Sequence, residues 1–398
     1  MRIALVTGAP VEDRSEIGAA YHTRALAEEL VQTGLTVEIW SKAGVGQAAA
    51  SGVPIVPIWR PGWWAWRDIF TAVRRRKPDI LHIQYSTFVL GAGAAGEIAM
   101  LLLLVLLKLL GTNVVITVHD VPSLAQVTPE YIRMHGYKFP ATVVRSGLRF
   151  IFLAIGLTAR SIVVHQEAFA AILARDYGIN RGRIAVIPLI APAHRKIGRE
   201  RARAALGITA AEKVALFFGF ATRYKGIELL LAAASELGAE FGLRLLLGAG
   251  EHPKVAHTAE YDAYYRELRR RAESIAGVEF LGFLPDTLLD DYVEAADVVV
   301  FPYIEAQSMS GPLTISAGHG KPFLVSTRIA AKIPQLSACV FDPDSEAIAH
   351  TLRRFFCDPA YTAAVEDECR RFARTALEND APSLTAEIYN RVAERAAG

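Results

Sequence analysis

The 398-residue chain is 52% hydrophobic and 21% charged, with a formal net charge of +2. That composition excludes a disordered chain, and so balanced a charge gives no bulk basic surface for a nucleic-acid partner. One ordinary core does not extend over this length, so two domains of about 150–200 residues are expected.

Met1-Arg2 leads directly into IALVTG, a short strand-like run without the pattern of a signal peptide. Strands are expected at 3–7, 36–40, 80–84, 113–118, 161–164 and 184–187, all continuous apolar runs suited to parallel strands buried on both faces. Between the first two, Tyr21, Ala25, Leu26 and Leu30 recur at three- and four-residue spacing, and Gly34 ends that helix. The segment 60–77 (RPGWWAWRDIFTAVRRRK) joins three tryptophans to Arg67 and the run Arg74-Arg75-Arg76-Lys77. It reads equally as a surface helix with its indoles packed inward or as a contact for an anionic membrane. Residues 98–107 form the most lipophilic stretch. A spanning helix needs about 20 residues, so this is a buried helix or a membrane-surface element. His119-Asp120 ends the strand at 113–118, where an imidazole either hydrogen-bonds a substrate hydroxyl or is held by Asp120 or backbone.

A Pro- and Arg-rich stretch, IPLIAPAHRKIGRERARAALG, reads as a linker, after which the pattern restarts with VALFFGF. Further strands are expected at 243–247, 278–281, 298–301, 323–326 and 339–341. The fold class expected is α/β, two Rossmann-like doubly wound domains facing a cleft, with ligands at the C-terminal ends of the strands. The domains are expected at 1–190 and 191–375, with 376–398 a helix returning to the first. In FFGFATRYKGIELLLAAASEL, Arg223 and Lys225 precede Gly226 and a helix start, which suits an anion as well as a solvated basic loop. In DVVVFPYIEAQSMSGPLTISAGHGKPFLVS, a loop of Gln307, Ser308, Ser310 and Gly311 leads to a helix opening near Pro312, whose N-terminus favours a phosphate. Asp342-Pro343-Asp344 reads as an acidic turn rather than a metal site, and no other cluster has metal spacing. Cys339, Cys357 and Cys369 are odd in number and lack a CxxC pair, which fits a reducing, cytoplasmic setting.

Taken in order, IGAAYHTRALAEELVQTGLTVEIW, KPDILHIQY, VVITVHDV, RIAVIPLI, YKGIELLLAA, LLLGAG, VEFLGFLPDTLLDDYVEAADVVVFPY and GHGKPFLVS resemble the retaining family-4 glycosyltransferases of the GT-B fold over nearly the whole chain. The resemblance implies a metal-independent enzyme without a cofactor. It would move a sugar from a nucleoside-diphosphate donor to a glycan, lipid-linked or small-molecule acceptor, on the inner face of the membrane where the acceptor is a lipid. Lys225 and Arg223 would hold the diphosphate, together with Gly219 and the helix opening at Ser310, Gly311, Pro312 and Leu313. Gly250, Phe283 and Leu284 would lie near the base and ribose, Glu305, Gln307 and Ser308 near the sugar and ribose. Ile17-Gly18 would close over the donor, with His119 near the reacting carbon. Three positions depart from the pattern. Phe220 stands where an arginine is usual, and Gln307 and Ile315 stand where the family carries two carboxylates, Glu305 being two residues early. A nucleotide-sugar epimerase or sugar-phosphate synthase of the same fold, or a silent nucleotide-sugar-binding subunit, remain the competing readings.

Overall fold

The computed structural model describes residues 1–8, 17–43, 52–87, 89–91, 94–134, 137, 139–190, 195–252, 256, 258–306, 310–377 and 380–397. Its contacts divide the chain into two α/β units, one made of residues up to Ile190 with the C-terminal helix, the other of the residues between.

The first unit runs β1 (Arg2–Val6), α1 (Ile17–Gln32), β2 (Thr36–Lys42), β3 (Ile55–Trp59), α2 (Ala65–Arg76), β4 (Ile80–Tyr85), α3 (Ala94–Leu109), β5 (Val114–Val118), α4 (Pro129–Met134), α5 (Ala141–Thr158), β6 (Ser161–Val164), α6 (Glu167–Tyr177) and β7 (Ile184–Val186). Its seven strands are all parallel, in the order β3-β2-β1-β4-β5-β6-β7. Alternate residues feed two cores, as strand geometry requires: Ala4 and Val6 pack on the α2–α3–α5 side, Ile3 and Leu5 on the α1 side. The second strand pair brings a difference from the sequence reading. β3 is a strand although Pro54 and Pro57 flank and interrupt it; as the edge of the sheet it tolerates a residue that donates no ladder hydrogen bond.

The second unit runs α7 (Arg199–Ala205), β8 (Lys213–Phe220), α8 (Ile227–Leu237), β9 (Leu243–Gly250), α9 (Ala259–Glu273), β10 (Val278–Phe280), α10 (Asp286–Ala295), β11 (Val298–Phe301), α11 (Gly311–Gly318), β12 (Phe323–Ser326), α12 (Thr327–Ala330), β13 (Val340–Phe341), α13 (Ser345–Cys357) and α14 (Pro359–Leu377). Six parallel strands follow the order β10-β9-β8-β11-β12-β13. The strand order reverses between β1 and β4 in one unit and between β8 and β11 in the other, the places where such sheets open a crevice at their C-terminal edge.

α14 continues through the expected boundary at 375/376 to Leu377. The last helix, α15 (Ala381–Ala397), belongs to the first unit: Ala381, Ile388, Tyr389 and Val392 are buried in the core beneath α1. The Tyr389 hydroxyl lies 2.6 Å from His82 Nδ1 in β4, in a fully buried contact that fixes the register of α15 on the sheet. Tyr389→Phe keeps the ring and strips His82 of that partner, so it is expected to destabilise the first unit by about 1–3 kcal/mol. The urea midpoint of the variant tests this, and an unchanged midpoint would contradict a structural role for the bond.

Candidate functional site

The chemistry of the second unit gathers at the β8/β11 reversal. β8 ends at Gly219-Phe220, and residues 223–225 make one 3-10 turn before Gly226 opens α8. Gly226 takes φ +65°, and a Cβ there would sit 2.1 Å from the Pro302 carbonyl oxygen, so only glycine lets the turn press against the end of β11. The turn drives Lys225 inward. Its side chain is 7% exposed, and its ammonium stands beside Gly219, 2.7 Å from where a Cβ would be, and 5.6 Å from the Tyr303 ring centre. Among the described residues it has no carboxylate or carbonyl partner. Burial alone pulls its pKa down from 10.5 to about 8.

α11 begins on the other side of the same spot. Ser310 caps it, its hydroxyl accepting from the Leu313 N–H at 3.3 Å and lying 3.1 Å from the Tyr303 hydroxyl. Pro312 has no N–H, and its Cγ comes within 3.4 Å of the Cβ position at Gly219. The Leu313 side chain is buried in the core and its amide is used by the cap, so the Gly311 amide is the donor left at this helix start. The structure thus brings together Lys225, Gly219, Ser310, Gly311 and Pro312.

It does not bring Arg223 to them. The Arg223 side chain is exposed, its guanidinium 4.6 Å over the Tyr264 ring, in a separate recess of about 370 Å³ shared with Glu228, Glu260 and Arg271. The two cations two residues apart face different surroundings because a 3-10 turn of three residues separates their directions by most of a turn. Gly250, Phe283 and Leu284 meet at the ends of β9 and the loop after β10. A Cβ on Gly250 would stand 2.8 Å from Phe283, and Phe220 lies near-parallel to Phe283 at 6.3 Å and 5.2 Å from His252. Glu305 is half-buried beside Tyr224, whose carbonyl its N–H contacts at 3.4 Å. Gln307 and Ser308 lie outside the described residues. Ile17 and Gly18 open α1. Asp342 and Asp344 make a turn in which Asp344 caps α13, and no group of three or more His, Cys, Asp or Glu among the described residues has metal-binding geometry.

In the first unit the sequence singles out His119 alone, and the structure surrounds it with three more buried histidines. His119 follows β5, with Nε2 2.9 Å from the Gln84 carboxamide and Nδ1 3.1 Å from His165 Nε2. His165 Nδ1 donates to the Ile187 carbonyl at 3.0 Å, and its Nε2 is turned to His119 Nδ1. His22 of α1 accepts from the Ile190 N–H at 3.3 Å, its ring centre 4.9 Å from His165 and 5.5 Å from His119. His82 closes the chain, its Nε2 2.7 Å from the Thr117 hydroxyl. Asp120, the partner considered from sequence, instead accepts from the Thr87 N–H. Both His119 nitrogens are therefore engaged within the protein. The signal that would have found the cluster is the recurrence of a histidine in or just after three neighbouring strands, in LHIQY, VVITVHD and SIVVHQ.

Burial pushes His82 down to about 3 and His165 to about 4, and His22 and His119 well below 6.5, the neighbouring rings adding to the shift. The rings are neutral in the folded protein, whereas an unfolded histidine takes up a proton near pH 6.5. Between about 6.5 and 4 the unfolded state binds more protons, so stability falls as the pH is lowered through that window. Urea denaturation at pH 7.5 and pH 5 is expected to give a clearly lower midpoint at pH 5. Equal midpoints would mean that the rings are not held neutral.

Comparison with known proteins agrees with this architecture. Residues 17–190 match the family description Glycosyltransferase Family 4, and residues 212–358 match Glycosyl transferases group 1. Among curated relatives, the D-inositol 3-phosphate glycosyltransferase of Corynebacterium urealyticum is 28% identical over 292 residues, 68% of this chain and 65% of that protein. Its counterpart in Streptomyces avermitilis is 26% identical over 293 residues, 68% of this chain and 59% of that protein. The match thus spans somewhat under two thirds of those relatives' length. Among solved structures, the sucrose-phosphate synthase of Thermosynechococcus elongatus superposes with a TM-score of 0.75 at 18% identity, over 98% of this chain and 99% of that one. Anabaena HepE in complex with UDP and glucose does so with a TM-score of 0.72 at 14% identity, over 99% and 100%. The chain belongs to the family-4 glycosyltransferases, enzymes of the GT-B fold, with both of its parallel-sheet units Rossmann-like.

Proposed function

We propose that the protein transfers a sugar from a nucleoside-diphosphate donor to a hydroxyl acceptor, with retention of anomeric configuration and without a metal. The observation that carries this reading is the buried Lys225 ammonium, without a counter-charge among the described residues, set between Gly219 and the first turn of α11. A buried cation is stabilised by an anion of matching size, and a helix start adds a second, oriented positive end. A diphosphate supplies that anion. HepE, the similar structure, holds UDP and glucose, which makes UDP-glucose the first donor to try.

In this reading the anomeric C–O bond to the β-phosphate breaks while the acceptor oxygen forms its own bond to the anomeric carbon from the same face. The acceptor's proton passes to the departing phosphate oxygen. Negative charge grows on the β-phosphate as the bond stretches, and Lys225 with the Gly311 amide stabilises it there. Arg223 joins the clamp only if its guanidinium leaves Tyr264. His119, held neutral by burial, is not a general base in this reading. The acceptor is a glycan, a lipid-linked sugar or a small polyol. Three free thiols suit a cytoplasmic protein.

Lys225→Ala is expected to lower kcat at least tens-fold, within the roughly 3 kcal/mol typical of losing one such group. Turnover near that of the wild type would overturn the diphosphate assignment. Thermal-shift titration with UDP, ADP and GDP and their glucose derivatives identifies the base, since a ligand stabilises as its concentration passes Kd. Because Lys225 titrates at about 8 before a ligand binds, nucleotide affinity is expected to fall as the pH rises above 8. In Lys225→Arg that fall is expected to disappear, and its persistence would assign the titration to another group.

A further inference from the structure

Two neighbouring helices of the first unit leave an apolar face uncovered. One side of α3 is core, with Ala99, Leu103, Leu104 and Leu107 fully buried. Its other side is a stripe of Ile98, Leu102, Val105 and Leu109 at four-, three- and four-residue steps, exposed by 45%, 37%, 53% and 78%. α5, packed alongside, repeats the arrangement. Val144, Leu148, Ile151 and Ile155 are buried, while Val143, Phe150, Leu153 and Leu157 are each more than half exposed. Between the helices runs a shallow groove of about 350 Å³ lined by Val105, Lys108, Leu109, Phe150, Leu153 and Leu157. A contiguous apolar patch of this kind on a folded domain marks an interaction surface.

The charges on it select the occupant. Lys108, Arg145 and Arg149 lie on the two helices and Arg160 just beyond, and the single acidic residue of either helix, Glu97, accepts from the Tyr85 hydroxyl. A second copy of this chain would bring the same positive face and be repelled. Anionic lipid headgroups complement it, with each surface Lys or Arg contributing about 1 kcal/mol to attraction. Trp63 and Trp64, 43% and 50% exposed, stand just before α2, which packs on α3; indoles favour the headgroup layer. α5 is long and apolar enough by composition to cross a bilayer, but one side of it is locked into the sheet core and Arg145 reaches the Val127 carbonyl. That geometry is a helix lying in the interface plane rather than spanning.

We propose that the exposed face of α3 and α5 docks the protein on an anionic bilayer, burying Phe150, Leu153 and Leu157 among the upper acyl chains with Lys108 and Arg149 at the phosphates. The inference stands on the first unit alone and does not depend on the donor reading. Co-sedimentation of the full chain with phosphatidylcholine vesicles, with and without phosphatidylglycerol, tests it. Binding is expected only with phosphatidylglycerol and is expected to weaken with salt. Phe150→Asp, at a 65% exposed position that folding does not need, is expected to abolish binding. Lys108→Gln with Arg149→Gln is expected to weaken it by about tenfold or more, at about fivefold per charge. Nucleotide thermal shifts are expected to stay as in the wild type for both variants, which separates this proposal from the donor site. No binding to either vesicle would overturn it. So would a wild-type dimer in sedimentation velocity that Phe150→Asp converts to monomer, because the face would then belong to a second copy.

Discussion

The second unit is organised around a lysine ammonium that is buried without a charged partner among the described residues. Folding alone does not reward that arrangement, since removing an unpaired charge from water is costly and the group answers by titrating lower, here at about 8. Several backbone features exist to hold it there. Gly226 lets the turn close onto Pro302, Gly219 leaves the hollow into which Nζ fits, and Tyr303 backs it while steadying the Ser310 cap. A residue with a Cβ at either glycine would push the ammonium or the turn away. Desolvation of a cation at a sheet reversal supports the proposed anion site over a plain packing solution.

The first unit solves the opposite problem at its own strand ends. Four imidazoles lie within a few ångströms, and none carries a charge, because burial disfavours the protonated form; their nitrogens meet Gln84, Thr117, Tyr389, the Ile187 carbonyl and the Ile190 amide. The network ties α1, β4, the β5 and β6 ends and α15 into one polar layer beneath the sheet edge. Such a layer is worth retaining only when every member is paired, and a neutral, rigid wall results.

Much of the fold was legible from periodicity. Buried parallel strands announce themselves as unbroken apolar runs, and all six expected in the first half appear, to within a residue or two at their ends. β3 was missed because its prolines mask an edge strand. At the site, the helix start near Pro312 follows from residue type after a strand, whereas Lys225 stands out from Arg223 only through the family resemblance. The divergence of Arg223 does not follow from residue type, because a three-residue 3-10 turn leaves no trace in the pattern, and two cations two apart look alike until one finds an aromatic face. The histidine layer was likewise invisible except at His119. Successive members are 37 to 60 residues apart in sequence and meet because β4, β5 and β6 are neighbours and α1 packs on the same sheet.

Residues 98–107 read as a core helix or a membrane-surface element, and in the structure one side of α3 is buried while the other carries exposed apolar residues. The same doubling bears on the donor site. Phe220, where relatives of the resembling family carry an arginine, extends an aromatic set with Phe283 and His252 instead of adding charge, and Ile315 is a half-buried apolar residue of α11. Charge is thereby concentrated on Lys225 and the helix start, while the surroundings proposed to meet base and ribose are more apolar. In the proposed reading such a site would grip the diphosphate through few strong contacts and the rest of the donor through shape. Its selectivity among donors then rests on stacking and fit, which discriminate by smaller steps than a buried carboxylate paired to a ribose hydroxyl.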